Sequence, residues 1–502
     1  MPSVNSVSSL LQLSVAHIVT RIENFDLQTH STTNICVMGE LGNLFHQLPS
    51  SLWEQVILNA KNGIDRPEAF ILEYLISKHL RFARFHVYTE GYLTVFPRFE
   101  KLISLVLRYS AADSNCLREL GIHCKNLRIL DVFDCRYVTD TGVQLLCFNS
   151  YDNLVLKPSA LCNTLHHLLM YFTSVTKRGA LLAIENLTAL KHLHHESTFE
   201  VLVELMQTGW DRNLLKISDS FSEFHLSLGY FTPYIQGSLG QVVQLIPSLT
   251  CVAICVTNGL TDTDLLSLMS LKNLKTFRLV PYSEVEEQNQ EFEITFKGGV
   301  VPLLRKFGHF LESLDISFFT VIDIWTVFKC CPNLIRFWFK SHCDSVMVLS
   351  ESEIALYLNN EEKRLILKNL DGLYCGYNTS PEILHFLLSF PALKEIHINS
   401  CDALTDEFLQ SAVSCHEFKN VIIFILSFCN YVTKRGIDAL MTNRNCVEEI
   451  RIKCCDNLTH ENVYEWHLQA KKENWKFNIL YKDSDFDKYY CSNKNDYCLK
   501  YV

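Results

Sequence analysis

The feature that most constrains this chain is a stretch of sequence that keeps returning. Three late segments align along their length: LKEIHINSCDALTDEFLQSAV from Leu393, VIIFILSFCNYVTKRGIDAL from Val421 and VEEIRIKCCDNLTHENVYEW from Val447. Thr405, Thr433 and Thr459 mark equivalent points, 28 and 26 residues apart. An earlier copy, LRILDVFDCRYVTDTGVQLL from Leu127, has Thr139 at the same point. Fainter copies start near Leu165, Leu249, Leu274, Leu311, Leu334 and Leu365, which brings the count to roughly ten to thirteen units. A repeat of this period implies a stacked array in which each unit touches its neighbours.

The pattern inside one unit says what is being stacked. Leu127, Leu130 and Val132 predict a short strand with its apolar side chains on one face. Cys135 then fills a small buried slot and can hydrogen-bond backbone at the turn. Thr139 or Asp140 caps a helix whose apolar residues are Val143, Leu145 and Leu146. The recurring Thr-x-x-Gly, with Gly142, Gly179 and Gly436, reads as packing punctuation. One such unit cannot bury its own apolar face, so neighbours must stack, strands into a parallel inner sheet and helices into an outer layer.

These segments resemble the cysteine-containing class of leucine-rich repeats, over residues 80–470 unevenly and most strongly at 125–147 and 391–465. The resemblance implies an α/β solenoid, a curved array with parallel inner strands and outer helices. The expected organisation is a helical N-terminal region over 1–78, the array over 79–470, and a cap or tail over 471–502. Two stretches fit poorly. Residues 210–246 contain Gly229, Pro233 and Gly237 and show no clear strand motif, and the acidic run 282–296 reads as a solvated insertion.

Composition narrows the function. A net charge of −10 and a pI near 6.0 argue against a nucleic-acid groove, which needs clustered Lys and Arg. The 20 cysteines among 502 residues are scattered, and several fall inside apolar strands. That points to a reducing compartment, cytoplasm or nucleus, and away from a disulfide framework. No basic segment precedes the first apolar stretch, which Arg21 interrupts, so neither a signal peptide nor a membrane span is expected. No phosphate-binding glycine loop, nucleophile elbow, H-E-x-x-H helix or RING-like Cys/His ladder is present, so the expectation is a non-catalytic chain without cofactor or metal. His192 and His194 fall on one side of a strand with no third ligand close in sequence, and Cys491 and Cys498 are isolated.

On each strand the residues between the leucines point away from the helices. That rule places Ile129, Asp131 and Phe133 there, then His167, Leu169 and Tyr171, then Thr276, Arg278 and Val280, then Ser313, Asp315 and Ser317. Later copies give Arg336, Trp338 and Lys340, then Glu395, His397 and Asn399, then Glu449, Arg451 and Lys453. Phe133, Tyr171 and Trp338 are expected to face solvent, and aromatic and Arg residues anchor protein interfaces. Asp131, Phe133, Tyr171, Arg278, Arg336, Trp338, His397 and Arg451 are therefore the candidate contacts to a protein substrate.

Two motifs precede the array. Residues 9–18 form an amphipathic helix with Ser9 and Gln12 in a capping-box pattern and with Leu10, Leu13, Ser14 and Ile18 on one stripe. Its small residue lets a partner helix or groove approach closely. In residues 48–56, Pro49 suits the first turn of a helix that puts Leu52 and Val56 on one face.

The first motif resembles the box that binds the elongin B–elongin C adaptor, matched at Ser9, Leu10, Leu13, Ser14 and Ile18, with Ser14 where the family most often has Cys. The second resembles the cullin-2 box, matched at Leu48, Pro49, Leu52 and Val56. In this order before leucine-rich repeats, the pair resembles the von Hippel–Lindau-box receptors, most of all the Zyg-eleven and Zer-one family without its armadillo part. The resemblance implies a substrate-recognition subunit of a cullin-2 ubiquitin ligase, monomeric within its complex, with elongin, cullin and a protein substrate as partners. It implies no part for nucleic acid or membrane. Two alternatives stand beside it. An F-box also starts with Leu-Pro, although Ser50, Ser51 and Trp53 support it poorly, and both segments could be the helical cap of a plain interaction scaffold.

Overall fold

The computed structural model describes residues 81–84, 93, 95–149, 157–207, 225–228, 234, 236–256, 259–281, 293–319, 322–339, 367–376, 379–416, 418–441, 447–475 and 477–482. Both N-terminal motifs, residues 9–18 and 48–56, lie outside them. The chain folds as two compact units. Among the described residues, those before 233 with Gln244–Thr250 make the first, and Pro233–Val243 with those from Cys251 on make the second. Each is a stack of leucine-rich repeats, a parallel sheet with helices along one side.

In the first unit, strands β1 (Phe82–Arg84), β2 (Ser104–Val106), β3 (Ile129–Asp131), β4 (His167–Leu169) and β5 (His192–His194) pair in chain order. Between them run helices Ser114–His123, Asp140–Cys147 and Lys177–Asn186, and helix Thr198–Gln207 follows β5. In the second unit the ladder runs through β6 (Cys251–Val256), β7 (Thr276–Pro281), β8 (Ser313–Asp315), β9 (Arg336–Trp338) and β10 (Gly372–Gly376). It continues through β11 (Glu395–Asn399), β12 (Ile423–Ser427), β13 (Glu449–Lys453) and β14 (Asn478–Lys482). All pairings within these two ladders are parallel, as a crossover helix between consecutive strands requires.

The core lies between sheet and helices. Leu105, Leu130 and Leu168 are fully buried in the first unit, as are Phe277, Leu314, Phe337, Ile396, Phe424 and Ile450 in the second. These are the even members of the alternation. Their odd neighbours face away from the helices, and that second side is the helix-free face.

Three devices tie one repeat to the next. An asparagine ahead of three of the strands donates to a carbonyl of the preceding repeat: Asn126 to Glu100, Asn333 to His309 and Asn420 to Pro391, at 2.8–2.9 Å. At the strand ends the chain turns through a left-handed residue, as at Tyr109, Asp134, Phe172, Ser400, Phe428 and Cys454. Such a backbone costs an L-residue about 1–2 kcal/mol. The next residue helps hold it: Cys135 donates its thiol to the Leu107 carbonyl of the previous repeat at 3.0 Å, and Cys429 does so to Ile398 at 3.6 Å. The slot read for Cys135 in the sequence is therefore a joint between repeats.

The third device explains Thr-x-x-Gly. Asp140 accepts from the backbone and hydroxyl of Thr176, the N-cap of the next helix, both at 2.7 Å. Asp406 accepts from Thr433 in the same way, at 2.8 and 2.5 Å, and from the Gly436 amide at 3.0 Å. A Cβ on Gly179 or Gly436 would stand 2.4–2.5 Å from that carboxylate, so only glycine admits the latch. Thr139 is the N-cap of its helix, but its hydroxyl pairs with Ser114 at 2.9 Å instead of with its own first turn.

Three expected boundaries move. Residues 210–246 include strand His225–Leu228 and helix Ser238–Leu245. Gly237, at φ +80°, makes the turn into that helix, and its amide joins Tyr234 on Asp264, each at 2.8 Å. The run 282–296 gives up its last residues to a repeat, because Thr295 caps the helical segment Phe296–Val300 and bonds Asp262. The array does not stop at 470: helix His460–Lys472 is followed by β14, which pairs with β13.

Candidate partner-binding face

On the first unit the helix-free face is covered along β3, β4 and β5, while the flanking Tyr109 and Phe172 are exposed. Asp131 is fully buried and ion-paired with Arg108, and it also accepts the Phe133 amide at 3.1 Å. Arg108 lies over the Phe133 ring, 5.4 Å from its centroid. That ring is held edge-on between Tyr109 and Phe172, at 5.4 and 5.2 Å. Phe133 and Tyr171, expected at the surface, are buried at 6% and 9% exposure. Alternation placed both on the correct side of the sheet; aromatic packing over that side then removed them from water.

Alongside them His167 and His192 stack at 4.0 Å, and the His194 ring lies 6.1 Å from both His192 and Tyr171. Burial pushes His194 down to about 4, with the charge of Arg108 adding to it. Burial does the same for His167, helped by His194, His166 and Lys191. Neutral imidazoles are thus part of the packing. His195 turns away and bonds the Val175 carbonyl at 3.0 Å. Among the described residues no group of three or more His, Cys, Asp or Glu side chains is placed to hold a metal.

The second unit repeats the same device in a more open setting. Arg278 pairs with fully buried Asp315 at 3.3 Å, Asp315 accepts the Ser317 amide at 3.1 Å, and Arg278 lies 5.8 Å from the Trp338 ring. An Arg, a buried Asp and an aromatic therefore recur on both faces. Strand register sets them in one row across the sheet: Arg278, Asp315, Trp338, Tyr374, His397, Ile425, Arg451 and Leu480. Tyr374 meets His397 edge-on at 4.3 Å, and His397 shares a 2.9 Å hydrogen bond with Ser427. Arg336, Trp338, Glu395, His397, Glu449, Arg451 and Lys453 are half-buried, alternating with fully covered neighbours. Arg451 is ion-paired with Glu449 on its own strand.

The structure thus separates the candidate substrate contacts. Arg278, Arg336, Trp338, His397 and Arg451 fall on one sheet of the second unit. Asp131, Phe133 and Tyr171 are covered in the first. Sequence reading missed Arg108, Tyr374 and Ser427. The alternation of Leu102, Leu105 and Leu107 was legible and would have placed Arg108. Tyr374 sits in a repeat whose leucine pattern is degenerate, and Ser427 carries no signal beyond its place after Leu426.

Comparison with known proteins places the repeat pattern. A family model described as Leucine Rich repeat matches residues 123–147, the stretch that carries β3 and helix Asp140–Cys147. No curated protein sequence matches the chain. Among solved structures, the chain is similar to the Rad7 and Elc1 complex of yeast, at 13% identity and a TM-score of 0.46, covering 91% of this chain and 96% of that one. It is also similar to an LRR protein of Leptospira interrogans, at 12% identity, TM-score 0.31 and coverage of 83% and 92%. An internalin from Listeria monocytogenes gives 13% identity, TM-score 0.35 and coverage of 78% and 88%.

No described helix is long and apolar enough to cross a membrane. What stands in the second unit is a sheet face on which half-buried Arg336, Glu395, His397, Glu449, Arg451 and Lys453 surround the ring of Trp338 with mixed charge.

Proposed function

We propose that this chain is a non-catalytic substrate receptor of a cullin-2 ubiquitin ligase, and that the helix-free face of its second unit holds the substrate protein. The observation that carries the binding half is the half-buried series Arg336, Trp338, Glu395, His397, Glu449 and Arg451 on β9, β11 and β13, alternate strands of one sheet. Such a surface offers aromatic and guanidinium anchors while its core neighbours stay rigid. The ligase half is supported by the residue pattern of the two N-terminal motifs. In this reading Ser9, Leu10, Leu13, Ser14 and Ile18 dock on elongin C. Leu48, Pro49, Leu52 and Val56 select the cullin, and ubiquitin transfer is catalysed by other subunits.

The test is a co-purification of the tagged chain with elongin B–elongin C and cullin-2, with the F-box adaptor probed in parallel. Recovery of elongin by the native chain and its loss in Leu10→Ser/Leu13→Ser supports the receptor reading. Recovery of the F-box adaptor instead would move the chain to a cullin-1 ligase. Recovery of neither would leave an interaction scaffold. Trp338→Ala, which lies outside both motifs, keeps elongin and loses the substrate.

A further inference from the structure

The rim at which the chain enters each strand differs in charge between the units. In the first, backbone bonds define that rim as a row. The amides of Ile103, Arg128, His166 and Lys191 donate in turn to the carbonyls of Arg81, Ile103, Arg128 and His166, at 2.7–2.8 Å. These residues immediately precede β1 to β5, one to a strand, and none of them is acidic. Arg81, Arg128 and Lys191 stand on every second strand, about 10 Å apart at two strand spacings. Lys125 adds a further exposed cation in the loop ahead of β3, where its carbonyl accepts the Thr164 hydroxyl at 3.2 Å.

The corresponding row of the second unit is built by the same kind of backbone bond, but its charges alternate in sign. Lys275 pairs with Glu312 at 2.9 Å and Lys394 with Asp371 at 3.8 Å, and Glu448 adds a further carboxylate. That row answers its own charges. Cations about 10 Å apart still repel at the screening length of 0.1 M salt, so the first row is a cost to the fold that an outside anion would offset. Its two arginines are placed for such a partner. Arg81 and Arg128 are exposed and make no ion pair among the described residues. Arg81 is steadied by the Phe82 ring, 5.6 Å from its guanidinium.

Charge and length indicate the class of anion. From β1 to β5 the row runs four strand steps, roughly 19 Å. Six residues of extended polypeptide cover that span. The chain as a whole carries a net charge of −10, which repels a long polyanion everywhere beyond the row. A short run of carboxylates meets the row alone, and the forked N–H groups of arginine match a carboxylate in two bonds.

We infer that the entry rim of the first unit binds a short acidic segment of a protein partner, its carboxylates pairing with Arg81, Lys125 and Arg128 along a row that Lys191 extends. This rim lies on the other unit from the proposed substrate face and is a separate site, so the two readings stand or fall independently.

The experiment titrates the full chain into fluorescein-labelled hexaglutamate, with hexaglutamine and a six-residue oligothymidylate as comparison probes, and reads fluorescence polarisation. Hexaglutamate should bind and hexaglutamine should not. Arg81→Glu/Arg128→Glu should weaken hexaglutamate by about tenfold or more, with thermal melting unchanged because both side chains are exposed. Arg81→Gln/Arg128→Gln, which removes charge without reversing it, takes its place if the melting curve moves. Lys275→Ala/Lys394→Ala, on the self-paired row, should leave affinity as it is. Absence of hexaglutamate binding would overturn the inference, as would equal affinity in the arginine variants or an equal loss in the lysine variant. Tighter binding of oligothymidylate through the same arginines would also overturn it and assign the rim to nucleic acid.

Discussion

The two units put the same device, an Arg, a fully buried Asp and an aromatic ring, on the same side of a parallel sheet, yet the surroundings give it opposite roles. Around Asp131 the strand residues are covered: Phe133, His167, Leu169, His192 and His194 are all buried, with the exposed Tyr109 and Phe172 rings packed against Phe133. Around Asp315 the neighbours alternate, with Trp338, His397 and Arg451 reaching solvent in part. A buried ion pair contributes little net stability, because desolvation offsets its attraction, but removing one partner costs several kcal/mol. The device therefore fixes where an Arg stands. In the first unit the Arg covers a packed ring, and in the second it braces a ring at the surface. Position on a strand decides which way a side chain points, and what is packed above it decides whether it can bind.

That comparison breaks most easily at the aromatic position. Phe133→Ala should cost about 3–5 kcal/mol in denaturant unfolding, as truncation of a buried Phe does. Trp338→Ala, half-buried, should cost about 1–2 kcal/mol while removing partner binding. Equal losses of stability would mean that the two faces are equally packed.

The next largest effect sharpens what the units share. Val-Thr-Lys-Arg-Gly occurs twice, at 175–179 and 432–436, each time latched by an aspartate of the preceding repeat. Asp406→Ala should cost about 1–3 kcal/mol, since it strands the Thr433 and Gly436 amides. Asp140→Ala, less buried and lacking the glycine contact, should cost less. Hydrogen exchange at the Thr176 and Thr433 amides reads both.

Acid acts on both units, through His167 and His194 on the sheet of the first and through His385 and His416, likewise pushed down by burial, on helices of the second. Folded His167 and His194 titrate near 4, below their ordinary 6.5, so unfolding takes up protons between those values. The stability they contribute is present above pH 6.5 and is lost as pH falls through 4, at most about 3 kcal/mol for each imidazole. Amides of β4 and β5 should lose protection over that window. Replacing both residues with Phe should flatten the response. Smallest of all, Arg451→Ala should move stability by no more than about 1 kcal/mol, since its partner Glu449 is on the same partly exposed surface. A larger loss would show that this end of the face is closed as well.

Much of this was legible in the sequence because a repeat is its own alignment. Leu127, Leu130, Val132 and Cys135 fixed strand, turn and slot, and alternation assigned Arg278, Trp338 and His397 to the correct side. Exposure was not legible. Phe133 and Trp338 follow the same local rule, and only tertiary packing of Tyr109, Arg108 and Phe172 distinguishes them. The latch was half legible: the glycine of Thr-x-x-Gly was seen, but its reason is a carboxylate one repeat earlier, 39 residues from Gly179 and 30 from Gly436. Gly237 misled, because a glycine before a helix marks either an irregular loop or the turn that starts the helix.

The recurring Val-Thr-Lys-Arg-Gly has one more consequence. Where an aspartate would stand to latch the following repeat, it places Lys177 and Lys434. Lys177 instead reaches Glu200 and Glu204 of the next helix at 2.8 Å, and Lys434 pairs with Asp438 of its own helix at 3.0 Å and with Glu465 of the next at 3.7 Å, all on partly exposed side chains. Joints made by Asp140 and Asp406 are short hydrogen bonds to backbone and hydroxyl, which dissolved ions hardly affect. The lysine joints are open Coulombic contacts, weakened once the screening length drops to a few ångströms in concentrated salt. Ionic strength would therefore loosen the first stack at a chosen seam, just past its repeated pentapeptide, whereas the second keeps the 2.7 Å hydrogen bond from the Trp466 ring N–H to Asp438 across that seam.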